Sequence, residues 1–256
     1  MAAPFEPVAE ATNAFKKLFQ KRNWLLGLPV VVGQIVGAML GAGAFLLVIG
    51  PTILPAATSA SSKPPDITPT QIATIILVFV LAIVVASIVN AFAYAWTLAA
   101  ADPVWADGDP AFDRGFNRAV SKLLQLAAFQ LLILVMVLIS LITIVGPIII
   151  AVLLIYGPAF IVLGNRSATQ AIADSFRLVS RNAAETMVLV LAFIVVSIAA
   201  FIPQFVLGFI PWVGILVQLA IQGILNGYIA LAVVRFYGLL TIASDTPSAP
   251  VPSPST

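Results

Sequence analysis

"LLQLAAFQLLILVMVLISLITIVGPIIIAVLLIYGPAFIVLGN", Leu123–Asn165, is a run of 43 residues without a single charge. As one helix it would be about 64 Å long, roughly twice the ~30 Å hydrocarbon core that a helix of about 20 residues crosses. The run must fold back on itself. Val145–Gly146–Pro147 supplies the break, because glycine tolerates a reversed backbone and proline cannot continue the hydrogen-bond ladder. The same reasoning divides the 49 uncharged residues from Thr186 to Val234 at "GFIPWVG", Gly208–Gly214. With Trp24–Gly50 and Ile72–Ala100 as the first two spans, the chain reads as an all-α polytopic membrane protein with six transmembrane helices.

Composition agrees with lipid as part of the solvent. The chain is 61% hydrophobic and 9% charged, with a mean hydropathy of +1.12, whereas a soluble domain draws its polar surface from about 25% charged residues. It contains neither cysteine nor histidine, which removes disulfides, thiolate nucleophiles, the usual imidazole base and the commonest metal ligands. No catalytic residue set and no cofactor is called for. A net charge of +2 gives no basis for a nucleic-acid partner.

The placement of the basic residues orients the spans. Lys16, Lys17, Lys21, Arg22, Arg114, Arg118, Lys122, Arg166, Arg177, Arg181 and Arg235 fall on one side of the six-span arrangement and Lys63 alone on the other. Positive loops resist translocation, so both termini are expected on the cytoplasmic side of the cell (inner) membrane. The apolar stretch after "KKLFQKR" exceeds the ~7–15 residues of a cleaved signal, so it reads as a retained span and not as a leader ending at "AATSA". Trp24, Tyr94, Trp96 and Tyr237 fit an interfacial belt near the cytoplasmic face and Trp212 one near the other. The loop Pro51–Thr70 and the tail 243–256 are rich in Pro and Ser and read as disordered.

Three cytoplasmic segments share one pattern. "SATQAIADSFRLVSRN", Ser167–Asn182, sets Ile172, Phe176 and Val179 at helical spacing against Gln170, Asp174, Arg177 and Arg181, and Ser167 with Gln170 forms a capping box. "PVAEATNAFKKLFQKRN" sets Ala11, Phe15 and Leu18 against Glu10, Asn13, Lys17 and Lys21. "DPAFDRGFNRAVSKL" sets Phe112, Phe116 and Ala119 against Arg114, Arg118 and Lys122, with Asp109 as cap and Pro110 in the first helical position. "RAVSK" (Arg118–Lys122) aligns with "RLVSR" (Arg177–Arg181). The chain therefore reads as one membrane domain, 1–242, of three units. Interfacial helix 1–23 precedes hairpin 24–100; segments 101–165 and 166–242 each hold an interfacial helix and a hairpin. Each basic helix is expected at the membrane surface, with apolar residues on acyl chains and basic ones on anionic headgroups. The bland alternative is that these charges only fix topology and dock on neighbouring spans.

The layout resembles bacterial multispan proteins related to the membrane domain of glycerophosphoryl diester phosphodiesterases. "AIADSFRLVSRN" (Ala171–Asn182) and "IPWVGILVQ" (Ile210–Gln218) carry the resemblance. It implies a six-helix membrane domain of the bacterial inner membrane. It implies no phosphodiesterase activity, because that chemistry relies on histidine and a carboxylate-bound metal, and the chain has no histidine.

Within the spans, Gly33, Gly37 and Gly41 form a small-residue ridge that lets a helix approach closely, either in the same bundle or in a second copy. Gln218, Gln222 and Asn226 share one face of span six. Such a stripe is too polar for lipid and either lines a hydrated path or holds helices together by hydrogen bonds, with Gln34, Asn90, Gln130 and Gln204 as partners. No charge lies well inside a span, which argues against ion-coupled transport. Pro158 and Pro203 fall in spans four and five, where they kink a helix or mark a site between broken ones.

The expected function is that of a non-enzymatic lipid-associated scaffold or accessory subunit. Its partners would be anionic membrane lipid, a second copy or another membrane protein. The alternatives are a passive channel or carrier for a neutral or lipidic solute, and a membrane enzyme holding a hard cation at Asp107, Asp109 and Asp113.

Overall fold

The computed structural model describes residues 6–58, 68–106, 108–143, 145–210 and 213–245, with the side chains of all of these except 48, 49, 51–58, 244 and 245. Helix α1 covers Pro7–Leu18, α2 Leu28–Thr58, α3 Pro69–Ala101, α4 Phe112–Ser121, α5 Leu123–Ser140 and α6 Gly146–Leu153. Helix α7 covers Gly157–Val162, α8 Ala168–Arg181, α9 Ala183–Leu207 and α10 Val213–Asp245. Two 3₁₀ turns, Asn23–Gly27 and Asp102–Ala106, complete the described elements, among which there is no strand.

Five helical segments, Asn23–Leu47, Pro69–Ala106, Leu123–Ser140, Ala183–Leu207 and Val213–Ala243, are long and apolar enough to cross a membrane. Their outward faces are hydrophobic: Leu47 is 79% exposed, Leu124 80% and Leu216 68%. No polar coat covers these side chains, so the molecule requires an apolar environment around it.

The fourth expected span is broken. Helices α6 and α7 are separated by a turn at Leu154–Tyr156, and Gly146–Val162 is shorter than the other apolar segments. Pro158 lacks the N–H that would continue the ladder, and the Gly157 N–H turns back to the Leu154 carbonyl at 2.9 Å. That leaves the Leu153 carbonyl without its helical donor. The Ser175 hydroxyl of α8 takes it at 2.8 Å, and the Phe129 ring of α5 lies where a β-carbon at Gly157 would sit. Pro203, by contrast, lies inside a continuous α9.

Other boundaries also differ from expectation. Helix α2 runs through Pro51 to Thr58, so the first eight residues of the expected Pro51–Thr70 loop are helical. Helix α3 starts at Pro69, where Thr68 and Gln71 form a capping box. Helix α10 continues to Asp245, past Ala243, the expected start of the tail. Lys63, Trp212, Asp107 and residues 246–256 lie outside the described residues.

The core sits at the basic end of the bundle. Ala95–Ala101 of α3, Tyr156–Val162 around α7 and Tyr228–Phe236 of α10 supply most of its side chains. The far half of α3, around Ile72–Leu81, is largely exposed. Helix α2 packs on α3, α5 on α6 and α9 on α10, while α3 and α10 meet centrally. Two close approaches make this possible. A β-carbon on Gly33 would come within 2.6 Å of the Ala93 β-carbon, and one on Gly27 would overlap the Gly223 backbone.

Candidate functional site

Helix α8 carries the most built-up polar feature. Its start is fixed from both sides: the Gln170 N–H donates to Ser167 Oγ at 3.4 Å and the Ser167 N–H to Gln170 Oε1 at 3.1 Å, as the capping-box spacing predicts. Gln125 of α5 accepts from the Ala168 N–H at 3.1 Å. The buried face of α8 is not centred on Ile172, Phe176 and Val179. Ala168, Ala171, Ser175, Leu178 and Val179 are buried, whereas Phe176 is 51% exposed. Small residues let α8 lie close against α5, α6 and α7, and that approach is what brings Ser175 to the broken span.

The opposite edge of α8 borders a cleft of about 480 Å³ against α7 and α10, lined by Arg166, Asp174, Arg177, Arg181, Tyr237 and Thr241 among others. Asn165 adopts a left-handed backbone (φ 56°), and the Arg166 N–H returns to the Phe160 carbonyl at 3.0 Å, placing the Arg166 side chain at the mouth. Asp174 lies 3.3 Å from Arg166 and 3.7 Å from Arg177. Arg181, in the last turn of α8, has no ion pair among the described residues. Tyr237 packs edge-on against Phe160 at 4.9 Å. Its hydroxyl lies 2.7 Å from where a β-carbon at Gly164 would be.

The other candidate lipid contacts divide into free and engaged groups. Arg114 is exposed on α4 and Lys122 half-buried at its C-terminus. Lys21 is 3.7 Å from Asp109. Lys17 is drawn inward: its Nζ donates to the Val104 carbonyl at 3.0 Å and lies 5.3 Å from the Trp105 ring. Arg118 donates to the Leu163 carbonyl at 3.0 Å and approaches Asp102 at 4.0 Å. Periodicity placed these two on the polar faces but had no means of showing their partners.

Helices α1 and α4 dock as α8 does. Ala11, Ala14 and Leu18 are buried against α9 and α10, and Gly115 and Ala119 against α3, so these parts of the apolar faces meet protein and not acyl chains. Phe15 and Phe116 stay 42% and 41% exposed. Helix α4 starts at Phe112 with Ala111 as its cap. Asp109 is not the cap and Pro110 not its first residue, because the Ala111 N–H donates to the Ala100 carbonyl of α3 at 3.2 Å while Asp109 pairs with Lys21. Sequence reasoning missed one clamp altogether: Glu10 of α1 accepts two hydrogen bonds from Arg235 of α10, at 2.8 and 3.1 Å. Trp105 lies under the Arg235 guanidinium at 4.9 Å and donates to the Leu231 carbonyl.

The polar residues of the spans separate. Gln218 and Gln222 line a groove of about 630 Å³ between α2 and α10 together with Gln34, and among the described residues these three side chains have no hydrogen-bond partner. Asn226 instead donates to the Gln222 carbonyl of its own helix at 2.8 Å. Asn90 lies beside Gly33 and Gly37, Gln130 lines a separate cavity, and Gln204 is on α9. Of the glycine ridge, Gly33 and Gly37 meet α3, whereas Gly41 borders an apolar cavity of about 360 Å³ where α2 and α3 diverge. Among the described residues no group of three carboxylates gathers that would hold a metal ion. No protein-family model matches the chain, and neither a curated protein nor a solved structure is significantly similar to it.

Proposed function

We propose that the chain is a six-span protein of the inner membrane with both termini cytoplasmic, acting as a non-enzymatic, lipid-associated scaffold or accessory subunit. The broken pair α6–α7 counts as its fourth crossing, and the layout is read as similar to the membrane domain of glycerophosphoryl diester phosphodiesterases. One observation carries the reading: α1, α4 and α8 each dock through a buried face and carry both an exposed phenylalanine and an exposed basic side chain. These are Phe15 and Lys16 on α1, Phe116 and Arg114 on α4, and Phe176 and Arg177 on α8. A short helix with an exposed aromatic ring and exposed cations suits the headgroup boundary, and each such cation is worth about 1 kcal/mol near an anionic surface.

The test is charge reversal on two separate helices, Arg114→Glu on α4 and Arg177→Glu with Arg181→Glu on α8, followed by quantification of co-purified lipid. Both changes should lower the recovered anionic lipid relative to zwitterionic lipid. Recovery equal to wild type for both would overturn the reading.

The groove at Gln34, Gln218 and Gln222 favours a second reading, a passive path for a neutral or lipidic solute, because unpartnered amides are unfavourable against acyl chains. Solute flux into proteoliposomes that disappears in Gln218→Leu with Gln222→Leu would support it, and flux unchanged by both would remove it.

A further inference from the structure

We propose that the cleft between α7, α8 and α10 is a discrete binding site for a phosphate monoester. This deepens the lipid-associated reading of α8 and rests on it for the position of the cleft at the headgroup level. The three guanidinium groups of Arg166, Arg177 and Arg181 and the one carboxylate of Asp174 leave two net positive charges on the lining, which matches a phosphomonoester dianion better than a diester monoanion. Asp174 holds Arg166 and Arg177 toward each other, so ordering them costs little when a ligand enters. Arg181 keeps its planar donor fork for bidentate contact with phosphate oxygens. The Tyr237 hydroxyl, fixed by Phe160 and the Gly164 turn, adds a neutral donor. A space of about 480 Å³ falls within the ~300–1,000 Å³ of small-ligand sites. The same phosphate chemistry is offered by a lipid headgroup and by a free phosphate or phosphorylated solute.

The experiment uses the full chain in neutral phosphatidylcholine nanodiscs. One arm adds phosphatidic acid or phosphatidylglycerol and reads retained lipid by native mass spectrometry; the other titrates inorganic phosphate by calorimetry. Preferential retention of phosphatidic acid assigns the lipid source, and heat with inorganic phosphate assigns the soluble one. In whichever arm binds, Arg181→Gln should weaken binding by roughly tenfold or more, the scale of one charge-assisted hydrogen bond. Tyr237→Phe should weaken it less, and Arg22→Gln, an equal loss of charge at an exposed residue after α1, should leave it unchanged. If Arg181→Gln does not fold, Tyr237→Phe carries the test, since it removes only a hydroxyl. Wild type that binds neither probe, or Arg22→Gln as damaging as Arg181→Gln, overturns the site. The broader reading fails separately, through the Arg114→Glu result, while selective cleft binding persists.

Discussion

Glu10 and Arg235 are 225 positions apart in sequence, yet their side chains form a bidentate pair that is only 18% and 33% exposed. Partial burial and the Trp105 ring beneath the guanidinium make this pair stronger than a solvated surface bridge, because removing one partner leaves the other half-desolvated. Glu10→Gln should therefore lower stability by about 1–3 kcal/mol, seen as a lower unfolding temperature in detergent, and expose α1 to protease before the rest of the chain. Glu6→Gln, four residues earlier and exposed, is the control and should change neither. Nothing in the sequence pattern announces this pair. Glu10 reads as a polar-face position and Arg235 as a basic residue following span six, but Arg235 lies within α10 and their meeting depends on how α1 crosses α10.

At the scale of elements, α8 shows what hydrophobic periodicity captures and what it misses. Ser167 and Gln170 marked its start, because a capping box is a local arrangement of backbone and side chain that three residues determine. Its buried face was misplaced because a hydrophobicity pattern gives weight to Phe176 and Ile172, whereas close docking selects small residues. The same limit applies to α6–α7. Val145–Gly146–Pro147 was legible as a fold-back, but the break at Leu154–Tyr156 depends on the Phe129 ring at Gly157 and on Ser175 from another helix. Ser175→Ala should therefore cost about 0.5–1.5 kcal/mol by removing the hydrogen bond to the partly buried Leu153 carbonyl, whereas Ser180→Ala on the exposed side of α8 should cost nothing measurable. Thermal unfolding of both variants in the same detergent decides it; equal stability would mean that water or a neighbouring donor replaces the hydroxyl.

For the whole molecule, the decisive question is whether α6–α7 crosses the membrane. Gly146–Val162, if straight, would rise about 26 Å, slightly less than the ~30 Å hydrocarbon core, so length alone leaves it between a short crossing and a re-entrant pair. Charge separates the two. A re-entrant α6–α7 would put Arg166, Arg177 and Arg181 on the side opposite Arg114, Arg118 and Lys122, against the tendency of basic loops to stay inside. Packing points the same way: Arg118 in the last turn of α4 donates to the Leu163 carbonyl at the end of α7, so the ends of α4 and α7 lie at one level. The chain has no cysteine, which makes single-cysteine labelling free of background. Thr143→Cys, between α5 and α6, should react with an impermeant maleimide only from the outside of oriented vesicles. Thr169→Cys, in the exposed first turn of α8, should react only from the inside, together with Ser121→Cys at the end of α4. If Thr169→Cys labels from the same side as Thr143→Cys, α6–α7 does not cross, and the phosphate cleft belongs to the outer face.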